Sequence, residues 1–277
     1  SYQFNLVKPL DHDAVQGENI QPLSFAISAT DFDNDTTESK TLTINVIDDV
    51  PVIDTVEALA VDEDDLVGGT NQGGDPLFDT GSFGTTQGAD QVVEYKIDPA
   101  TNPVAGLESH GVAITLGAPT TDSDNNHTYV AKAGSVEVFI LTLNADGSYR
   151  FDLKAPIDHA TGEDSKDLTF KVLAEDFDGD TASKDLLVTL TDDAPVLSGF
   201  TGQTNIDEDD IIGLGSSVGG DNPISGNFDI AEGADGIKSY QLTNGPTALS
   251  GIESEGKAVV WANSGNPTTV TTAAGTT

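Results

Sequence analysis

The stretch "DLTFKVLAEDFDGDTASKDLLVTLTDDAPV", residues 167–196, decides the fold. Apolar residues alternate with polar ones through DLTFKVLAED (167–176) and again through SKDLLVTLTDD (183–193). A period of two is the signature of half-buried strands. Between the two strands stands an acidic loop with Asp176, Asp178 and Asp180 at every second position, and Pro195 follows where a ladder cannot continue. The stretch therefore reads as a β-hairpin whose loop concentrates negative charge and whose exit is a linker.

Working outward, the same pattern returns. "DFDNDT" at 31 becomes "DFDGDT" at 176, and "VDEDDL" at 61 becomes "IDEDDI" at 206, both shifted by 145. "GADQVVEYKI" at 88 matches "GADGIKSYQL" at 233, and "GLESHG" at 106 matches "GIESEG" at 251. "SYQFNLVKPLDH" at 1 matches "SYRFDLKAPIDH" at 148, a shift of 147 that implies a two-residue indel in the following loop. Synchronous matches of this length mark tandem modules. The linkers IDDVPVI (47–53) and TDDAPVL (191–197) set the boundaries: residues 1–50 end one repeat, 51–195 are a whole one, and 196–277 begin a third. Further strands are expected at 136–153, a hairpin turning at Asp146-Gly147, and at 91–98 and 111–117. The expected fold is all-β, a chain of immunoglobulin-like or cadherin-like β-sandwich modules of about 145 residues. The Gly-rich segments 68–76 and 213–223 lack Lys and phosphate-loop spacing and read as loops in register.

Composition bounds the function. With 47 acidic and 11 basic side chains the formal charge is −36, which excludes nucleic acid and anionic membranes as partners. Hydrophobic residues make up 36% of the chain and fall in alternating runs, which argues for a folded core rather than acidic disorder. There is no Cys, hence no disulfide, thiolate metal site or Cys nucleophile. No Met is present, position 1 included, which reads as an internal segment of a longer chain. No apolar run approaches the length of a membrane span, so direct insertion into a membrane is not expected.

Three acidic groups recur in each repeat: the alternating loop (Asp31, Asp33, Asp35; Asp176, Asp178, Asp180), the linker pair (Asp48, Asp49; Asp192, Asp193) and the DEDD element, which is expected to end the next repeat's first strand (Asp62, Glu63, Asp64, Asp65; Asp207, Glu208, Asp209, Asp210). Ca2+ takes about six to eight hard oxygen ligands in irregular geometry, which clustered carboxylates and carbonyls supply. An EF-hand would need Gly at the sixth loop position and Glu at the twelfth, but counting from Asp176 those are Thr181 and Leu187. The expectation is instead Ca2+ at module junctions, the acidic loop of one repeat facing the linker shared with its preceding neighbour. Transition metals fit less well, because the four His are scattered. His12 and His159 each follow an Asp at one repeat position and read as turn caps, not as halves of a catalytic pair.

Residues 156–196 and 9–52 together resemble the tandem repeats of type I-secreted RTX adhesins of Gram-negative bacteria. The resemblance lies in the Asp-His after a strand, the DxDGD-type loop and the closing DDxP, and it extends through DEDDL over nearly the whole chain. Asn34 departs from it where the second copy has Gly179, and Asn tolerates the left-handed backbone such a loop needs. The resemblance implies a secreted or surface-attached, non-enzymatic extender of a large adhesin, stiffened by calcium and serving attachment and biofilm formation. Its partners would be neighbouring repeats. Two other readings stand beside it: an adhesin domain that itself binds glycan or peptide, and a subunit of an extracellular filament.

Overall fold

The computed structural model describes residues 1–13, 16–162, 164–202, 204–210, 214–216, 225–240, 250–254, 256–262 and 269–272. The chain forms two compact units, Ser1–Gly236 and Ile237–Thr277. The fold is all-β: among the described residues the only helical elements are two single 3-10 turns, Glu63–Asp65 and Glu208–Asp210.

The first unit opens with an antiparallel pair, β1 (Ile20–Ile27) and β2 (Lys40–Ile47). A two-sheet sandwich follows. One sheet carries, from edge to edge, β3 (Val52–Val56), β5 (Phe78–Thr86), β12 (Ser148–Leu153), β11 (Val136–Leu143), β10 (His127–Ala133), β8 (Val112–Leu116) and β7 (Glu108–Ser109), with β9 (Thr120–Thr121) also on β10. The facing sheet is β4 (Leu59–Asp62), β14 (Thr181–Thr191), β13 (Ser165–Asp176) and β6 (Val92–Ile97). The unit ends with β15 (Val196–Gly202) paired to β16 (Gly226–Ala231).

The alternation decides which side chains meet between the sheets. Leu168, Phe170, Val172 and Ala174 of β13 and Leu186, Val188 and Leu190 of β14 are buried, facing Phe139, Leu141, Leu143, Phe151 and Leu153. Three rings mark the centre: Phe139 lies 4.9 Å from Phe151 and 5.8 Å, edge-on, from Phe170. Each fully buried Phe or Leu contributes about 1.5–3 kcal/mol of transfer free energy, so these two hairpins carry most of the driving force. The Asp146-Gly147 turn forms as expected, with Gly147 at φ +86°.

One segment departs from the sequence reading. Residues 52–62 are not a single strand ended by DEDD. β3 pairs antiparallel with β5 in one sheet, the chain breaks at Glu57–Ala58, and β4 pairs parallel with β14 in the other. Crossing between sheets brings DEDD to the end of β14, beside the linker that follows its own module.

The pairings also repeat. Phe25 faces Leu42 in β1–β2 as Phe170 faces Leu186 in β13–β14, and Val52 faces Thr86 as Val196 faces Ala231. Even the bulge recurs, between Ile53 and Thr55 and between Leu197 and Gly199. Phe25 is 42% exposed where its counterpart Phe170 is fully buried, because among the described residues β1–β2 has no facing sheet comparable to β11–β12. In the second unit, β17 (Glu253–Ser254) and β18 (Lys257–Ala262) pair with the register of β7–β8, and β19 (Thr269–Thr272) adds to β18.

Candidate metal centres at the two ends of the sandwich

β14 runs the length of the module, so its 11 residues hold its two ends roughly 35 Å apart. An acidic centre lies at each.

At the first end, the hairpin loop 176–180 meets the linker that precedes the module. Carboxylate oxygens of Asp48, Asp178 and Asp180 lie within 4.8 Å of one another. Asp176, Asp180 and Asp48 are 2%, 3% and 5% exposed. Each carboxylate is held by one oxygen. Asp176 Oδ1 accepts from the Gly179 and Asp180 amides at 3.1 and 2.8 Å, and Asp180 Oδ1 from the Gly17 amide at 3.1 Å. Asp178 Oδ2 accepts from the His12 amide at 3.2 Å, and Asp48 Oδ1 from the Asp49 amide at 2.8 Å. The other oxygen of each, Asp48 Oδ2, Asp176 Oδ2, Asp178 Oδ1 and Asp180 Oδ2, is buried without a hydrogen-bond partner.

This arrangement is electrostatically unfavourable by itself. Burial, reinforced by Asp178, pushes Asp176 up to about 7. Asp180 is also raised by burial and by Asp48 and Asp178, against the lowering effect of the Gly17 amide. Asp90, from the GAD loop of the same module, is raised by burial and by Asp178 and Asp48. The preceding segment reaches across this end in further ways: Gln16 Nε2 donates to the Gly179 carbonyl at 2.8 Å, and its Oε1 accepts from the Thr181 amide and hydroxyl at 3.1 and 2.8 Å.

At the other end, Glu63, His159 and Asp192 offer ligand atoms within 4.8 Å. Glu63 is fully buried; its Oε1 accepts from the Ile157 amide at 2.8 Å, and its Oε2 has no partner. Burial pushes Glu63 up to about 8, opposed by the Ile157 amide and reinforced by Asp235, Asp192 and Asp193. Asp235 is likewise raised by burial.

The remaining acids separate by role. Asp193 is a clasp: it accepts from the Thr70 amide and hydroxyl at 2.9 and 2.6 Å and from the Ala234 amide at 2.9 Å. Asp49 does the same to the Ala89 amide at 3.0 Å. Asp62 caps the 3-10 turn through the Asp64 amide, and Asp65 anchors the 66–76 loop through the Asp75 amide at 2.7 Å. Asp64 stays at the surface side of the turn, raised by partial desolvation and by Asp62, Asp65 and Asp193. Asp31, Asp33 and Asp35 come together but are exposed, with Asn34 at φ +74°. Asp207 caps Asp209 as Asp62 caps Asp64; Asp207 and Glu208 are exposed, and the Asp210 side chain lies outside the described residues. Most of segment 213–223 lies outside them too.

Sequence reading missed four contributors. Asp90 and Asp235 sit in the repeated GAD motif, which was visible as a repeat but not as an acid near a junction. Thr70 belongs to a Gly-rich loop read as a plain connection, yet it holds Asp193. His159, read as a turn cap, is buried at 3% side-chain exposure, 3.6 Å from Glu63 Oε1. Comparison with protein-family models and with curated protein sequences gives no match for this chain.

Proposed function

We propose that this chain is a non-enzymatic extender segment of a large bacterial surface adhesin, in which calcium at the module junctions stiffens a tether for cell attachment and biofilm formation. The observation that carries the reading is the first-end centre. Four carboxylates from two sides of a linker each spend one oxygen on a backbone amide and leave the other buried and unpartnered. The four leftover atoms are all hard oxygens, the donor type Ca2+ selects, and carbonyls or water would complete its shell. Asp48, Asp176, Asp178 and Asp180 would hold the ion, which supplies the positive charge that the cluster lacks.

Such an ion would join Asp48 of the linker to the loop of the module that follows it, so its binding free energy becomes resistance to bending there. Duplication of each acid group favours a structural role over catalysis. Secretion to the cell surface follows from the same picture, since low cytosolic calcium would leave junctions loose and external calcium would set them. The partners would be adjoining repeats of the same chain.

Calorimetry with calcium and with EGTA tests it. A cation at 100 times its Kd adds about 2.7 kcal/mol per site, or a rise of roughly 5–10 °C in Tm for a domain of this size. A Tm that does not change across millimolar calcium overturns the proposal.

A further inference from the structure

We propose that Glu63, His159 and Asp192 form a second metal site of a different kind, one that takes a divalent transition cation such as Zn2+ rather than calcium. The first reason is the donor set. Ligand atoms of the three residues lie within 4.8 Å of one another, and one of them is an imidazole nitrogen. Imidazole with carboxylates suits Zn2+ and its first-row neighbours, whereas calcium prefers oxygen throughout.

The second reason is what burial leaves unsatisfied. Both ring nitrogens of His159 and Oε2 of Glu63 are buried with no hydrogen-bond partner, on side chains 3% and 0% exposed. An imidazole shielded on both nitrogens is costly unless something ligates it. His12, at the equivalent repeat position, is satisfied differently: its Nδ1 lies 2.8 Å from Asn19 Oδ1.

The third reason is that the site is held in place. Glu63 Oε1 accepts from the Ile157 amide, two residues before His159, so the carboxylate fixes the segment that carries its fellow ligand. Asp193 beside it is committed to Thr70 and Ala234, which leaves Asp192 as the linker's contribution. None of these residues belongs to the Asp48–Asp178–Asp180 centre, so this inference stands or falls apart from the calcium reading.

The experiment is equilibrium dialysis of the untagged chain against Zn2+ in millimolar calcium, with the metal counted by mass spectrometry. One Zn2+ per chain is expected to stay bound, and His159→Gln should weaken it about 100-fold or more while His110→Gln leaves it unchanged. Co2+ gives an independent signal, a visible absorption band whose intensity reports low-coordinate nitrogen and oxygen ligation, present in the wild type and absent from His159→Gln. Far-UV circular dichroism checks that the variant folds; if it does not, Glu63→Gln is the replacement and should lose the band in the same way. Displacement of Zn2+ by calcium, equal retention by the folded variant, or a stoichiometry that follows His110 instead would overturn the assignment. Because calcium-dependent melting is read separately, loss of zinc binding with the calcium shift intact refutes this site alone.

Discussion

Asp180→Asn should change the protein in opposite directions with and without metal. Asp180, Asp48 and Asp178 bring carboxylate oxygens within 4.8 Å of one another. At that distance two full charges repel by about 3.5 kcal/mol at an effective dielectric constant near 20. Partial protonation of the cluster and relaxation of the loop reduce what is realised, so neutralising one member should stabilise the metal-free fold by about 1–3 kcal/mol. The amide oxygen of Asn can still accept from the Gly17 amide, so the bond that positions the loop survives. In EGTA, thermal unfolding of the variant should therefore occur about 3–8 °C above wild type. In saturating calcium the order should invert, because the variant loses a charged ligand and with it most of the cation's contribution. Differential scanning calorimetry of both proteins in both buffers gives the four numbers required. A variant that melts lower than wild type in EGTA would refute the reasoning, since the carboxylate would then be a net stabiliser without any ion. An undiminished calcium shift would refute it equally.

Two further outcomes can be measured on the same protein. Phe170→Ala removes a ring that is fully buried against Phe139 and Phe151 and should cost about 3–5 kcal/mol in urea unfolding, with the calcium-dependent shift persisting wherever the domain still folds. The metal-free chain should lose stability as pH rises. Glu63, pushed up to about 8, and Asp176, to about 7, hold protons more tightly when folded than in the unfolded chain, where such groups titrate near 4. Their stabilisation is thus full below about pH 4 and is lost as pH climbs through 7–8. A metal-free Tm that increased over that range would contradict the assigned burial of these groups.

The hairpins were legible because their signal is local. Alternation in 167–176 and 183–193 states which side chains face inward, and a short acidic loop between them leaves one way to connect. The crossing of 52–62 between sheets was not legible. Leu59 and Val61 alternate as any strand residues do, and their partners Val188 and Leu190 lie far along the chain in a parallel ladder with no turn to announce it. The DEDD element illustrates the same limit at the level of single atoms. Four adjacent acids look equivalent in sequence, but a 3-10 turn separates them by about 120° per residue, so Glu63 points into the core region, Asp65 ties down a loop and Asp62 caps the turn. Even the requirement for Gly69 is tertiary: a Cβ there would lie 2.2 Å from the Asp64 carbonyl oxygen. The acidic loop and the preceding linker were expected to face each other, but that each carboxylate would keep one oxygen in reserve depends on amides from His12, Gly17 and Asp49 that no spacing rule reveals.

The parallel pairing of β4 with β14 also sets how the module carries a pull. Force on the chain before Val52 draws β4 towards one end, while force after Thr191 draws β14 towards the other. The two strands are in register from Leu59–Val188 to Asp62–Thr191, so such a load tries to slide them past each other rather than peel them apart. In that geometry the ladder bonds bear the load together and must fail together, whereas a peeled hairpin breaks them one at a time. A module joined this way resists such a pull as a mechanical clamp, and the sheet crossing at residues 57–58 is what puts the clamp in line with the chain on either side.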